Sequence, residues 1–237
     1  MQLFYNPEVS ENQQEVIFPK DESKHIVKVL RKKEGDKLNI TNGKGFLFSA
    51  EIIESNPNKC KAKIIEFEKE SQKKYQLHLA VAPTKMNDRF ETFLEKATEI
   101  GLTSITPIIC EHSERKIIKL NRFERVLQSA MKQSLQYSLP QISEAISFKE
   151  FMQQNHAGQK FIAHCEEHDK KSLQKELDPR KSYTILIGPE GDFSPEEIEM
   201  AIQHQFIPVT LGHTRLRTET AGIVAAHTAA LINEFQE

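Results

Sequence analysis

A chain of 237 residues is long enough for one large domain or two modest ones, and its 38% hydrophobic content supports a packed core. No run of about 18 apolar residues occurs, which excludes a helical membrane span, and Met1-Gln2-Leu3-Phe4-Tyr5 leads into Asn6-Pro7 without the charged-then-apolar pattern of a secretory leader. A formal net charge of -2 leaves no general basic footprint, so any contact with nucleic acid has to be made by a local cluster.

From residue 1 to about 68, short β-like runs at 2–5, 15–18, 37–41, 46–54 and 59–67 alternate with turns. Asn42-Gly43 lies between two of these runs, and both residues tolerate positive φ, which predicts a hairpin. This part reads as a small β-barrel interrupted by one helix over about 22–32, with Ile26, Val29 and Leu30 on its apolar stripe. The same helix carries the densest basic cluster of the chain, Lys24, Lys28, Arg31, Lys32 and Lys33. A solvated helix face and a phosphate-contacting patch look alike at this level.

The wholly polar stretch 68–74 marks the domain boundary, dividing residues 1–70 from 74–237. Strands and helices then alternate, which argues for α/β architecture with a parallel sheet. A strand at 75–82 precedes an amphipathic helix at 88–100, with Asp88 and Glu91 as a capping box and Gly101 as its stop. A strand at 104–110 and a helix at about 122–137, opened by Asn121, come next. Ser147 and Glu150 open a short helix; a strand at 160–164 and a helix around 171–177 follow it. Apolar runs at 183–187 and 207–211 read as buried strands, and an apolar helix over 221–235 ends the pattern.

Each of the last two strands runs into a loop of small residues, Gly188-Pro189-Glu190-Gly191 and Gly212, where parallel sheets present ligands. Glycine leaves backbone N–H and C=O groups open to close approach, although a tight strand-to-helix turn would also use it. Ser194, Pro195 and Glu197 form a strong helix start after the first loop. Phosphate is disfavoured there, because no phosphate-loop motif is present and Glu190 and Asp192 would repel an anion. A nucleotide-using α/β enzyme is the weaker reading for that reason. In the second segment Arg215, Arg217 and Glu219 lie between a strand and a buried helix, where unpaired charge is costly, and Thr218 or Thr220 is available as a cap. The three cysteines Cys60, Cys110 and Cys165 have no Cys-x-x-Cys spacing, so reduced packing thiols of a cytoplasmic protein are expected. His164-Cys165-x-x-His168 lacks a second ligand pair, so no metal site is expected.

The segments Ile187-Gly188-Pro189-Glu190-Gly191, Leu211-Gly212 and Leu216-Arg217-Thr218-Glu219-Thr220-Ala221 resemble the RsmE family of the SPOUT superfamily, bacterial methyltransferases acting on N3 of a uridine in 16S ribosomal RNA. The resemblance extends to His25, Val29-Leu30-Arg31 and Gly35-Asp36, to Lys85, Arg89, Glu91 and Lys96–Gly101, and to Gln133-Ser134 with Pro140. It implies a PUA-like β-barrel followed by an α/β SPOUT domain with a deep trefoil knot at about 183–237, a homodimer, and S-adenosylmethionine as cofactor. By matching motif the cofactor wall would be Leu186, Gly188, Pro189, Gly191, Leu211, Gly212, Leu216, Thr218 and Ala221. Lys24, Lys28, Arg31, Lys32 and Lys33 would hold RNA of the small ribosomal subunit, with Arg115-Lys116 as a second cluster. The chain departs from the family pattern at Asp192, where glycine is common, at Thr214-Arg215, and at Gln136.

Uracil N3 carries a proton at neutral pH, so its methylation needs charge stabilisation and a proton acceptor. Arg217 is expected to stabilise the carbonyl oxygens and Glu219 to take the proton directly or through water, unless Glu219 is simply a buried partner of Arg217 or Arg215. The alternative function is a catalytically inactive RNA-binding relative. Neither membrane nor metal is expected as a partner.

Overall fold

The computed structural model describes residues 2–71, 73–166 and 169–234. Gln72 of the polar stretch, His168 of the rejected metal pair and Phe235 of the last helix lie outside them. The described residues form two units, 2–71 with 131–139, and 73–130 with 140–166 and 169–234.

In the first unit the chain forms β1 (Leu3–Tyr5), β2 (Glu15–Ile17), α1 (Lys20–Lys24), β3 (Lys37–Thr41), β4 (Phe46–Glu54) and β5 (Lys61–Lys69). The strands make one half-barrel sheet in the order β1-β3-β4-β5-β2, antiparallel except for the β1–β3 pair. Register shifts between Ser49 and Ala50 and between Ile52 and Glu54 bend the long β4–β5 pair around a core of Phe4, Phe18, Ile26, Phe48 and Ile52. Residues 131–139 join this unit through the Thr41 hydroxyl, which donates to the Tyr137 carbonyl at 2.8 Å, and through a bridge from Gly43 to Ser138. No local pattern signals that return, because it depends on single hydrogen bonds between distant residues.

The basic helix differs from its predicted form. After α1 the backbone widens into a π-helical turn, His25–Val29. The extra residue in that turn rotates the apolar stripe, so Ile26 is buried with Val27 and Leu30 packed against the core, while Val29 is 66% exposed. Arg31 then adopts φ +55, and Lys32 N–H donates back to Ile26 O at 3.1 Å, a closure usually given to glycine.

The second unit is built on a parallel sheet. Its elements are β6 (Gln76–Val81), α2 (Asn87–Ile100), β7 (Ser104–Ile109), α3 (Leu120–Gln133, of which residues 131–133 belong to the first unit), β8 (Gln141–Ile142), β9 (Ile146–Ser147), α4 (Phe148–Met152), β10 (Gln159–Ala163), β11 (Lys171–Ser172), α5 (Leu173–Glu176), β12 (Ser182–Ile187), α6 (Pro195–Gln203), β13 (Ile207–Thr210) and α7 (Thr218–Glu234). The strand order is β11-β13-β10-β12-β6-β7-β8, with β9 also paired to β7. Central strands are buried on both faces, as the continuous apolar run of β12 requires.

Two predicted helix starts are corrected. Asp88 and Glu91 form no capping box: Met86 is the N-cap of α2 without a side-chain bond, and Glu91 pairs with Arg122 of α3. Asn121 lies inside α3, which begins at Leu120 and stops at Gln133 because Leu135 takes φ +56. The capping boxes at Ser147 and Ser194 form as expected, and Gly101 closes α2 at φ +106. No described helix is long and apolar enough to cross a membrane.

Helices α2 and α7 pack tightly because Gly222 of α7 has no side chain; a Cβ there would lie 2.6 Å from the Phe93 ring of α2. Phe93 is fully buried and has nowhere to go. Gly222→Ala is therefore expected to lower stability by about 1–3 kcal/mol, read as a shift in the denaturant midpoint.

His78 on β6 lies near the opposite, N-terminal ends of the strands, 2.7 Å from the Ser104 hydroxyl, and burial, with the nearby His156, pushes its imidazole down to about 4. The unfolded chain takes up this proton near pH 6.5 and the folded chain only near pH 4, so stability should fall across that window on acidification, by at most roughly 3 kcal/mol from this residue. His156 is lowered by burial and acts in the same direction. Denaturant titrations of the protein and of His78→Gln at pH 7 and 4.5 should show a weaker loss in the variant.

Candidate active site

Parallel pairing sets Ile187 of β12 beside Ala163 of β10 and Val81 of β6, so distant segments end at one level. A cavity of about 350 Å³ opens beyond the ends of β10, β12 and β13, within the range of small-molecule sites. Of the predicted cofactor wall, Gly188, Pro189, Leu211 and Gly212 line it from the two loops, and Leu216, Thr218 and Ala221 from the approach and first turn of α7.

Leu186 and Gly191 are not among the lining residues. Leu186 is fully buried among Ala80, Phe193 and Ile198, because alternation along β12 turns it away from its lining neighbour Ile187. Gly191 has a packing role, since a Cβ there would stand 3.0 Å from the His112 side chain. Gly188 is likewise constrained, since a Cβ there would stand 3.0 Å from the Phe193 ring.

Side chains hold the loops in place. The Thr218 hydroxyl, at the first position of α7, donates to Gly188 O at 3.0 Å and so ties the two loops together. Ser194 and Glu197 cap α6 reciprocally, and the second Glu197 oxygen accepts from Glu111 N–H at 2.9 Å. Asp192 sits at φ +63, which explains why glycine suits this position, and its carboxylate accepts from Cys165 N–H at 2.6 Å and Phe193 N–H at 2.9 Å.

Sequence reasoning missed the contribution of β10, whose end places Ala163, His164 and Cys165 on the wall. Burial and then the Asp192 charge raise the Cys165 thiol above its usual range, which makes it a poor nucleophile at neutral pH. Arg89, at the start of α2, also lines the cavity. The charged groups around the space are Glu190 and Asp192 on one hand and Arg89, Arg215 and Arg217 on the other. Arg215 and Arg217 are exposed, so the expected cost of burying them does not arise. Glu219 does not line the cavity; its side chain is 12% exposed, with one oxygen 4.0 Å from Arg89 Nε.

In the first unit Lys24, Lys28, Arg31 and Lys33 are exposed along one segment, and Lys32 is half-buried, with its ammonium 3.4 Å from Lys37 O. Arg115 in the second unit is engaged by Lys85 O and Asn87, which accounts for it structurally. Among the described residues no cluster of three or more metal-ligating side chains occurs.

These features define a class, an RNA methyltransferase carrying a PUA domain. The family profile described as RNA methyltransferase domain matches residues 71–230, and that described as RNA methyltransferase PUA domain matches residues 18–65. The chain belongs to the ribosomal RNA small subunit methyltransferase E family. It is 33% identical to the protein of that name from Buchnera aphidicola subsp. Acyrthosiphon pisum over 88% of this chain and 85% of the relative. A probable rRNA-methyltransferase from Porphyromonas gingivalis superposes with a TM-score of 0.91 at 39% identity over 98% of each chain. The ribosomal RNA small subunit methyltransferase E of Neisseria gonorrhoeae, solved bound to S-adenosyl methionine, superposes at 0.86 with 26% identity over 98% of each chain.

Proposed function

We propose that this chain transfers a methyl group from S-adenosylmethionine to N3 of a uridine in the 16S RNA of the small ribosomal subunit, in the cytoplasm. The homodimer and the deep trefoil knot around the cofactor belong to the same proposal. The observation that carries it is the cavity at the ends of β10, β12 and β13, where seven residues of the expected cofactor wall meet. Its chemistry fits the cofactor: the exposed backbone of Gly212 suits the adenine edge, the buried Gly188 lines the wall without a side chain, and the Glu190 and Asp192 carboxylates suit a sulfonium.

The cofactor supplies an electrophilic methyl group; the chain supplies position and charge. Fixed loops align the two reactants, which lowers a barrier by several kcal/mol without acid–base help. Arg217, exposed at the cavity, orients the uracil and stabilises the negative charge that its carbonyl oxygens carry once N3 loses its proton. Lys24, Lys28, Arg31, Lys32 and Lys33 hold RNA phosphates and set position more than sequence choice.

Incubation with methyl-labelled cofactor and unmodified small subunits, followed by mapping of the label, is expected to place it on N3 of one uridine; label elsewhere or none would overturn the reading. Arg217→Ala should cut methylation about 100-fold while leaving cofactor affinity nearly unchanged. Lost cofactor binding with unfolding would refute the assignment. Replacing Arg31 and Lys32 together by Ala should weaken RNA binding and flatten its log–log salt dependence by about 1.5, and an unchanged slope would remove them as phosphate contacts.

A further inference from the structure

We infer that Arg89 is a second catalytic cation, placed to contact a uracil oxygen, and that Glu219 is its positioning residue and not the proton acceptor. The inference rests on the methyl-transfer reading above.

Arg89 is the third residue of α2 and lines the cavity, with 39% of its side chain exposed. Glu219 is the second residue of α7 and stands behind it, off the cavity wall. A general base has to reach the proton it removes, and here the arginine is the group that faces the reaction space. At 4.0 Å a Glu219 oxygen faces the edge of the guanidinium and sets its direction without a close hydrogen bond, so N–H groups of Arg89 stay available to a ligand. The other Glu219 oxygen is buried and accepts no hydrogen bond, a costly arrangement for a group with no task. Helix packing fixes the pair. Arg89 lies one turn before Phe93 on α2, Glu219 lies one turn before Gly222 on α7, and the Phe93–Gly222 contact sets their separation.

The chemistry calls for two cations. When N3 gives up its proton to water, the charge spreads over O2 and O4 on either side of it. The N3 electron pair forms the new N–CH3 bond as the C–S bond breaks and its pair stays on sulfur. Arg217 and Arg89 come from different elements and serve one oxygen each. The pair also selects the base, because cytosine offers an amino donor in place of O4, which would face a second donor.

The test measures methylation of small subunits across pH together with cofactor affinity and thermal stability. Active wild-type protein that labels N3 establishes the underlying reading independently; an inactive wild type overturns that reading, and with it this assignment. Arg89→Ala should lower kcat about 100-fold with cofactor affinity within about threefold, and its deficit should shrink at alkaline pH, where solvent ionises N3 without help. Glu219→Ala should lose about tenfold, while Glu219→Gln, which still offers Arg89 an oxygen, should stay within about threefold of wild type. Arg89→Ala combined with Glu219→Ala should be no worse than Arg89→Ala alone. Full activity in Arg89→Ala would overturn the proposal. So would a Glu219→Gln enzyme that is folded, binds cofactor and is as inactive as Glu219→Ala, since that is the behaviour of a lost base. If Arg89→Ala fails to fold, Arg89→Lys is measured instead, and full activity there with an unchanged pH profile would count equally against the assignment.

Discussion

Strand β12 pairs in parallel with β10 on one side and β6 on the other, and that register decides where everything else can be. Because the strands point the same way, the loops that follow Ala163 and Ile187 open at one end of the sheet, and β13 adds a third beside them. The helices returning from that end begin there, so Arg89 and Glu219 come into reach from the first turns of α2 and α7. A one-residue slip in β12 would turn Leu186 to the cavity and Ile187 into the core. The buried, two-sided packing of these strands holds the register.

Much of this was legible in residue pattern. The span of β4, the stop of α2 at Gly101 and the capping boxes at Ser147 and Ser194 follow from local chemistry, so local reading finds them. The failures are equally physical. A π-helical turn at His25–Val29 changes the period of the stripe, and no i, i+3, i+4 pattern anticipates it. Asp88 has no capping role because α2 starts one residue before it, and Glu91, its expected partner, pairs instead with Arg122, a residue 31 positions away. The cavity was half visible. Gly188 and Gly212 announce close approach, whereas Ala163 and Cys165 acquire a place only through a strand pairing that sequence spacing does not encode.

The polar groups at the cavity divide by what they are tied to. Asp192, Thr218 and Glu197 spend their hydrogen bonds on backbone and so fix the walls. Arg217 has no such duty and stands exposed at the cavity. This division makes a preorganised site: the dipoles and carboxylates that surround a ligand are already held before it arrives, and little reorganisation is left for the reaction.

The modest net charge of -2 then stops being at odds with an RNA substrate. Charge in this chain is sorted by place. Basic side chains gather on the segment from Lys24 to Lys33, while Glu190 and Asp192 lie at the cavity. Asp192 shows how tightly the sorting is coupled to the backbone. Its left-handed φ suits glycine, yet a glycine there could not bond Cys165 N–H and Phe193 N–H. Aspartate here accepts some conformational strain and in exchange joins the end of β10 to the loop after β12, adding a negative charge at the cavity. Arg31 makes the corresponding trade in the first unit, holding a guanidinium exposed at a helix end where glycine would relax the chain and offer no charge.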